Sequence, residues 1–144
     1  MKVMVLGGTG LIGRRLTAAL VKRGDQVVVV SRRGAEAAAL LGPRVEVLAG
    51  DPAQPGDWMA GLSQCQGVVN LAGAGIFDRR WNDEYKAVMR DSRVRTTQNL
   101  VAGLKAAAPR PGVLVNGSAI GFYGFTADQE LTEESPAGKG DFLS

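Results

Sequence analysis

Residues 2–13 constrain this chain more than any other stretch. Lys2-Val3-Met4-Val5-Leu6 runs without a break into Gly7-Gly8-Thr9-Gly10-Leu11-Ile12-Gly13. A short apolar strand is followed by a glycine-dense turn and then by helix-forming residues to Arg23. Both spacings, Gly8-x-Gly10-x-x-Gly13 and Gly7-x-x-Gly10-x-x-Gly13, are satisfied. A glycine pattern alone is weak evidence, but between a first strand and a first helix it has a physical purpose. The turn must be tight, and side chains there would block a ligand. Backbone N–H groups and the positive helix end then face an anion. The pattern predicts a dinucleotide pyrophosphate at this turn; the alternative is a glycine-rich connector in some other α/β protein.

The rest of the chain alternates in the same way. The apolar runs predict strands at Lys2–Leu6, Gln26–Ser31, Arg44–Leu48, Gly67–Leu71 and Val113–Asn116. The four valines of the second strand leave no polar face, as in a strand covered on both sides. The third alternates, as an edge strand does. Helices are predicted over Leu11–Arg23, with Leu11/Ile12, Leu16 and Leu20 on one face, and over Ala35–Leu41. A short one runs from Asp57 to Leu62, and a long one is capped by Asn82, with Asp83 and Glu84 in its first turn. On that long helix Tyr85, Met89, Ser92, Thr96, Asn99/Leu100 and Gly103/Leu104 share a narrow face. After Gly121 the chain reads as an acidic loop. This alternation predicts an α/β fold: a Rossmann-type, doubly wound parallel sheet of five strands in the order 3-2-1-4-5.

Composition narrows the chemistry. Histidine is absent, which excludes a Ser-His-Asp triad and imidazole metal ligands within these residues, and no metal site is expected. Cys65 is the lone cysteine, so there is no internal disulfide or zinc ribbon, and with no basic neighbour it reads as buried or inert. Hydrophobic residues make up 45% and charged residues 22%, the balance of a globular domain, and no apolar run has the length of a signal core or a membrane span. A soluble cytoplasmic protein without membrane contact is expected. Residues 1–50 hold eight Lys/Arg against three Asp/Glu, and residues 51–144 hold nine against eleven. The positive half suits an anionic small molecule or is simply solvated. Nucleic acid is not expected, because the basic residues come in pairs without interleaved aromatics. An oligomer is compatible with the sequence.

The end of the second strand bears on which nucleotide. A carboxylate there accepts from a ribose 2′-OH, whereas this chain has Ser31-Arg32-Arg33 and no acid before Glu36. Two guanidinium groups favour a 2′-phosphate, so NADP(H) is expected ahead of NAD(H). The alternative is a pair of surface arginines.

The opening glycine motif resembles the short-chain dehydrogenase/reductase superfamily, extended type. Asn70-Leu71-Ala72-Gly73 is similar to its Asn-x-Ala-Gly signature, and Ser92–Leu100 resembles the helix before strand five in sugar-nucleotide epimerases. More narrowly, Arg80-Trp81, Ser92-Arg93, Gly117-Ser118-Ala119-x-Gly121-x-Tyr123-Gly124, Thr132-Glu133-Glu134 and Asp141-Phe142-Leu143 resemble an atypical epimerase-like branch. Its members are sometimes labelled cell-division inhibitors. The resemblance implies that Gly7, Thr9, Gly10, Leu11, Ile12 and Gly13 form the pyrophosphate turn. It implies that Ser31, Arg32 and Arg33 receive the adenosine end, and that Leu71, Ala72 and Gly73 line the ribose and nicotinamide. Asp51 matches an adenine-contacting position or is a loop cap. Ser118 matches a serine that orients a substrate oxygen, or is a small strand-end residue. Tyr123 lies near substrate in such relatives, or packs in the core. Trp81 is substrate-facing or a packing residue, and Trp58 reads as a packing residue between helix and sheet.

One departure matters more than these matches. The superfamily's acid/base is Tyr-x-x-x-Lys, in which the lysine lowers the tyrosine pKa. Tyr85 is followed at that distance by Met89 and Tyr123 by Ala127, and the expected tyrosine falls near Phe142. The resemblance implies an NADP-dependent oxidoreductase or epimerase acting on a sugar nucleotide or other small carbonyl or alcohol. The missing relay keeps open a non-catalytic NADP(H)-binding sensor or partner-binding module. Extended members continue beyond strand five. Residues 1–144 are therefore expected to be the NADP-binding N-terminal part of a longer protein, inactive alone.

Overall fold

A computed structural model describes residues 1–124, 128–138 and 142. Five strands, β1 (Lys2–Leu6), β2 (Gln26–Ser31), β3 (Val45–Ala49), β4 (Gly67–Asn70) and β5 (Val113–Asn116), form one sheet in the order β3-β2-β1-β4-β5. Every neighbouring pair is parallel, with Val3 opposite Val27 and Gly67, and Asn70 opposite Asn116. The helices are α1 (Leu11–Arg23), α2 (Gly34–Leu41) and α3 (Asp83–Ala106). The predicted architecture and strand order are those observed.

The two faces of β1 explain the layering. Met4 and Leu6 join Val28, Val30, Val68, Trp58, Leu62 and Leu100 in one core. Val3 and Val5 join Val27, Val29, Val45 and Leu20 in the other. Alternation along an extended strand sends successive side chains to opposite faces. An all-apolar strand therefore needs cover on both sides, which α1 and α2 provide on one face and α3 with residues 57–64 on the other. Each large side chain buried this way stabilises the fold by roughly 1.5–3 kcal/mol relative to exposure. Trp58 is a packing residue, 2% exposed, with its indole N–H donated to the Gln54 carbonyl at 3.1 Å.

Several local expectations shift. β3 lies one residue later than predicted, because Ala49 pairs with Ser31 while Arg44 stays outside the ladder. β4 stops at Asn70 rather than Leu71. Asp57–Gln64 is a 3-10 helix that runs past Leu62, and Ile120–Tyr123 forms a short 3-10 turn where a loop was expected. Leu11 and Ile12 are 72% and 67% exposed, so the buried face of α1 is Gly13, Thr17 and Leu20 instead. The first turn of α1 projects past the end of the sheet, where none of the described residues covers it. On α3, Tyr85, Met89, Thr96, Leu100 and Gly103 are buried as the periodicity predicts, and the Asn82 side chain accepts from the Tyr85 N–H at 2.8 Å. Cys65 is buried, which pushes its thiol pKa up. Among the described residues no helix is long and apolar enough to cross a membrane.

Candidate functional site

Because all strands run the same way, the segments that follow them meet at one edge of the sheet. This edge collects the Gly7–Gly13 turn after β1, Ser31–Arg33 after β2, Asp51 after β3, Leu71–Gly75 after β4 and Gly117–Ser118 after β5. The strand order reverses direction beside β1, and an open sheet leaves a crevice at that point.

Backbone contact builds the turn. Gly7 has φ +81°, and a Cβ there would lie 2.7 Å from the Leu71 carbonyl carbon and 2.8 Å from the Ala72 nitrogen. The first turn and the β4 loop therefore touch main chain to main chain. A Cβ on Gly13 would overlap the Gly7 carbonyl oxygen and lie 2.7 Å from Gly8 Cα. The Gly10 N–H donates to the Gly7 carbonyl at 3.1 Å, and Gly10 is the N-cap of α1 with no side chain to satisfy the first-turn amides. No acid lies in that turn, so the positive helix end is left uncompensated.

After β2, Ser31 is buried and its hydroxyl accepts from the Arg33 N–H at 3.2 Å. The Arg33 guanidinium lies 3.5 Å from Glu36. Arg32 is exposed and has no ion-pair partner among the described residues. The Asp51 carboxylate accepts from the Ala53 N–H at 3.0 Å, and its carbonyl accepts from Gln54 at 2.9 Å. Both bonds are local to the loop that follows β3.

The loop after β4 is held by side chains. Asn70 donates to Asn116 Oδ1 at 2.8 Å and accepts from the Ala72 N–H at 3.2 Å. From α3, the Ser92 hydroxyl accepts from the Ala74 N–H at 2.9 Å, the Arg93 guanidinium donates to the Ala74 carbonyl at 3.0 Å, and the Tyr85 hydroxyl donates to the Gly75 carbonyl at 2.6 Å. Sequence reasoning placed Tyr85 and Ser92 on a packing face and took Ser92-Arg93 as a family-like motif, and so missed this arrangement. The spacing of seven was its only signal.

Ser118 is exposed, and Tyr123 is half-buried with its ring edge-on to Phe122. Neither side chain has a hydrogen-bond partner among the described residues. Trp81 donates to the Ile76 carbonyl at 2.8 Å and packs edge-on against Phe142 at 5.7 Å. Phe142, where the resemblance puts a catalytic tyrosine, has no hydroxyl; Asp141 and Leu143 of that motif lie outside the described residues. A depression of about 620 Å³ runs along the outer face of α3 past Arg93, Val94, Thr97 and Val101. No group of three or more potential metal ligands occurs among the described residues.

A doubly wound parallel sheet with an uncapped glycine turn at its switch point defines a Rossmann-type protein. The comparisons narrow this. The chain belongs to the NAD dependent epimerase/dehydratase family, whose sequence profile matches residues 3–141. It is 34% identical along its whole length to the epimerase family protein SDR39U1 of Bos taurus, of which it covers 45%. A crystal structure of human SDR39U1 with NADPH has a TM-score of 0.77 at 33% identity, over 99% of this chain and 45% of that one. A UDP-glucose-4-epimerase from Stenotrophomonas maltophila with bound NAD reaches 0.79 at 20% identity, which shows the shared fold. The chain thus spans a little under half the length of these relatives.

Proposed function

We propose that residues 1–144 are the NADP(H)-binding part of an epimerase- or reductase-like protein. One observation carries this reading: an uncapped, glycine-lined turn of α1 abuts the β4 loop backbone at the sheet's switch point. The pyrophosphate sits on the amides of Gly7, Thr9, Gly10, Leu11, Ile12 and Gly13, and the apolar side chains of Leu11 and Ile12 flank it. Arg32 takes a 2′-phosphate, because it is exposed and unpaired among the described residues while Arg33 is engaged with Glu36. Ser31 shapes that turn, Asp51 borders the adenine, and Leu71, Ala72 and Gly73 line the nicotinamide ribose. The human relative's NADPH supports this choice of cofactor.

The bound cofactor would supply hydride chemistry. Ser118 and Tyr123, downstream of β5, are on hand to bond a reacting oxygen of a sugar nucleotide or another small carbonyl or alcohol. Residues 1–144 hold no Tyr-x-x-x-Lys pair to carry the proton. That absence, with Phe142 at the expected position, favours a second reading: a non-catalytic NADP(H) sensor or partner-binding module.

Titration of the protein with NADPH and NADH tests the cofactor assignment. The expected result is preference for NADPH, with Arg32→Ala weakening NADPH roughly tenfold or more and leaving NADH unchanged, as for loss of a charge-assisted contact. An unchanged preference would refute the role of Arg32. In the full-length protein, cofactor turnover with sugar nucleotides and simple carbonyls would support the enzyme, and tight NADPH binding without turnover the sensor.

A further inference from the structure

We propose that Tyr85, Ser92 and Arg93 of α3 are positioning residues that set the nicotinamide half of the cofactor site by clamping the loop Ala72–Gly75. The inference rests on the NADP(H) reading above.

The loop itself, among the described residues, has only short-range bonds of its own, from the Ala72 N–H to Asn70 and from the Gly75 N–H to Asp78. It leaves β4 at Asn70 and has no ladder partner beyond Leu71, whose N–H donates to the Leu6 carbonyl at 2.9 Å. Three side chains from one helix then take over. Ala74 is gripped at both ends, its N–H by Ser92 and its carbonyl by Arg93. Tyr85, two helical turns before Ser92 on the same face, takes the Gly75 carbonyl. The Ser92 hydroxyl also donates to Met89 O at 3.0 Å, and Arg93 donates to the same carbonyl at 3.0 Å, so both side chains are braced on their own helix. Tyr85 is buried, 7% exposed, and its ring stacks under the Arg79 guanidinium at 5.9 Å. A Cβ on Gly73 would lie 2.9 Å from the Arg93 guanidinium carbon, so Arg93 lies directly against the loop.

The result is a loop in which the N–H groups of Leu71, Ala72, Ala74 and Gly75 are all bonded within the chain. Gly73 N–H alone has no acceptor among the described residues. The clamp therefore fixes the segment around one open donor. Because Leu71 and Ala72 touch Gly7 main chain to main chain, the loop forms one wall of a crevice whose other wall is the pyrophosphate turn. Ser31, Arg32 and Arg33 follow β2, on the far side of β1 from this wall. The clamp should act on one end of the dinucleotide only.

The test compares two ligands in the full-length protein: NADPH, which spans both ends, and 2′,5′-ADP, which carries only the adenosine end. Ser92→Ala, Arg93→Met and Tyr85→Phe are expected to weaken NADPH about fivefold each, the scale of one lost hydrogen bond, while 2′,5′-ADP stays within about twofold. Ser92→Thr, which keeps the hydroxyl, restores NADPH affinity, and Ser92→Ala speeds hydrogen exchange at the Ala74 amide. Tyr85→Phe removes a single hydroxyl and keeps the comparison valid if Ser92→Ala unfolds the protein. Equal weakening of both ligands, or of neither, overturns the clamp while leaving the NADP(H) reading intact. If the unaltered protein binds neither ligand, the NADP(H) reading fails and the clamp falls with it.

Discussion

The two walls of the crevice are built by opposite means. The Gly7–Gly13 turn is shaped by missing side chains: at Gly7 and Gly13 backbone meets backbone, and main chain cannot yield there. The Ala72–Gly75 wall is shaped by side chains that reach it from α3, and these can move. The same residue type shows the difference. A methyl on Gly13 would run into the Gly7 carbonyl, whereas the nearest atoms to a methyl on Gly73 all belong to the Arg93 side chain, Cζ at 2.9 Å and Cγ at 3.1 Å. One wall is a steric fixture, and the other is an adjustable bracket.

Substitutions at both walls and at a remote control test this contrast. Gly13→Ala is expected to have the largest effect, about 3 kcal/mol of lost stability in a urea titration, because overpacking against main chain has no rotamer by which to relax. Gly73→Ala is expected to cost only about 0.5 kcal/mol, since the Arg93 side chain swings aside. It should nevertheless weaken NADPH as Arg93→Met does. If Gly73→Ala proves as damaging as Gly13→Ala, the distinction between the walls is lost. The smallest effect is expected far from both, at Asp25 before β2. Its carboxylate accepts from the N-terminal ammonium at 2.9 Å and from Arg23 Nε at 2.6 Å, and these bonds hold its pKa below the ordinary value. A depressed folded pKa contributes stability above the unfolded value, about 3.9, and that contribution is lost as pH falls through the lower folded value. Asp25→Asn should flatten that part of the acid limb and leave NADPH affinity unchanged. A change in NADPH affinity would mean that the two ends of the sheet are coupled.

The same contrast explains what the amino-acid sequence made legible. The strands, the glycine turn and the buried stripe of α3 follow from local pattern, because each is imposed by neighbours in the chain or by a short period, and the strand order then follows from the alternation of strand and helix. Val27–Val30 had to be covered on both faces, and they are. Leu11 and Ile12 misled because periodicity reports a face without reporting where the sheet ends. The clamp was invisible for a related reason. Tyr85 and Ser92 share a helix face, but nothing local says that this face meets the Ala74 and Gly75 backbone 10 and 18 residues away. Asp51 was left open between two roles; its bond to the Ala53 N–H spans two residues and is compatible with both. The roles of Ser118 and Tyr123 rest on resemblance, since neither makes a side-chain bond among the described residues that would single it out.

β5 carries a further consequence. Val113, Leu114 and Val115 are 53%, 45% and 51% exposed, so among the described residues an apolar strand is uncovered on both faces and paired with β4 alone. A row of free main-chain donors and acceptors flanked by valine and leucine is a template for another strand. On its own, this 144-residue chain should be colloidally fragile. Its solubility should fall steeply with concentration, and a lysine at position 114 should do more for its shelf life than any change in the core.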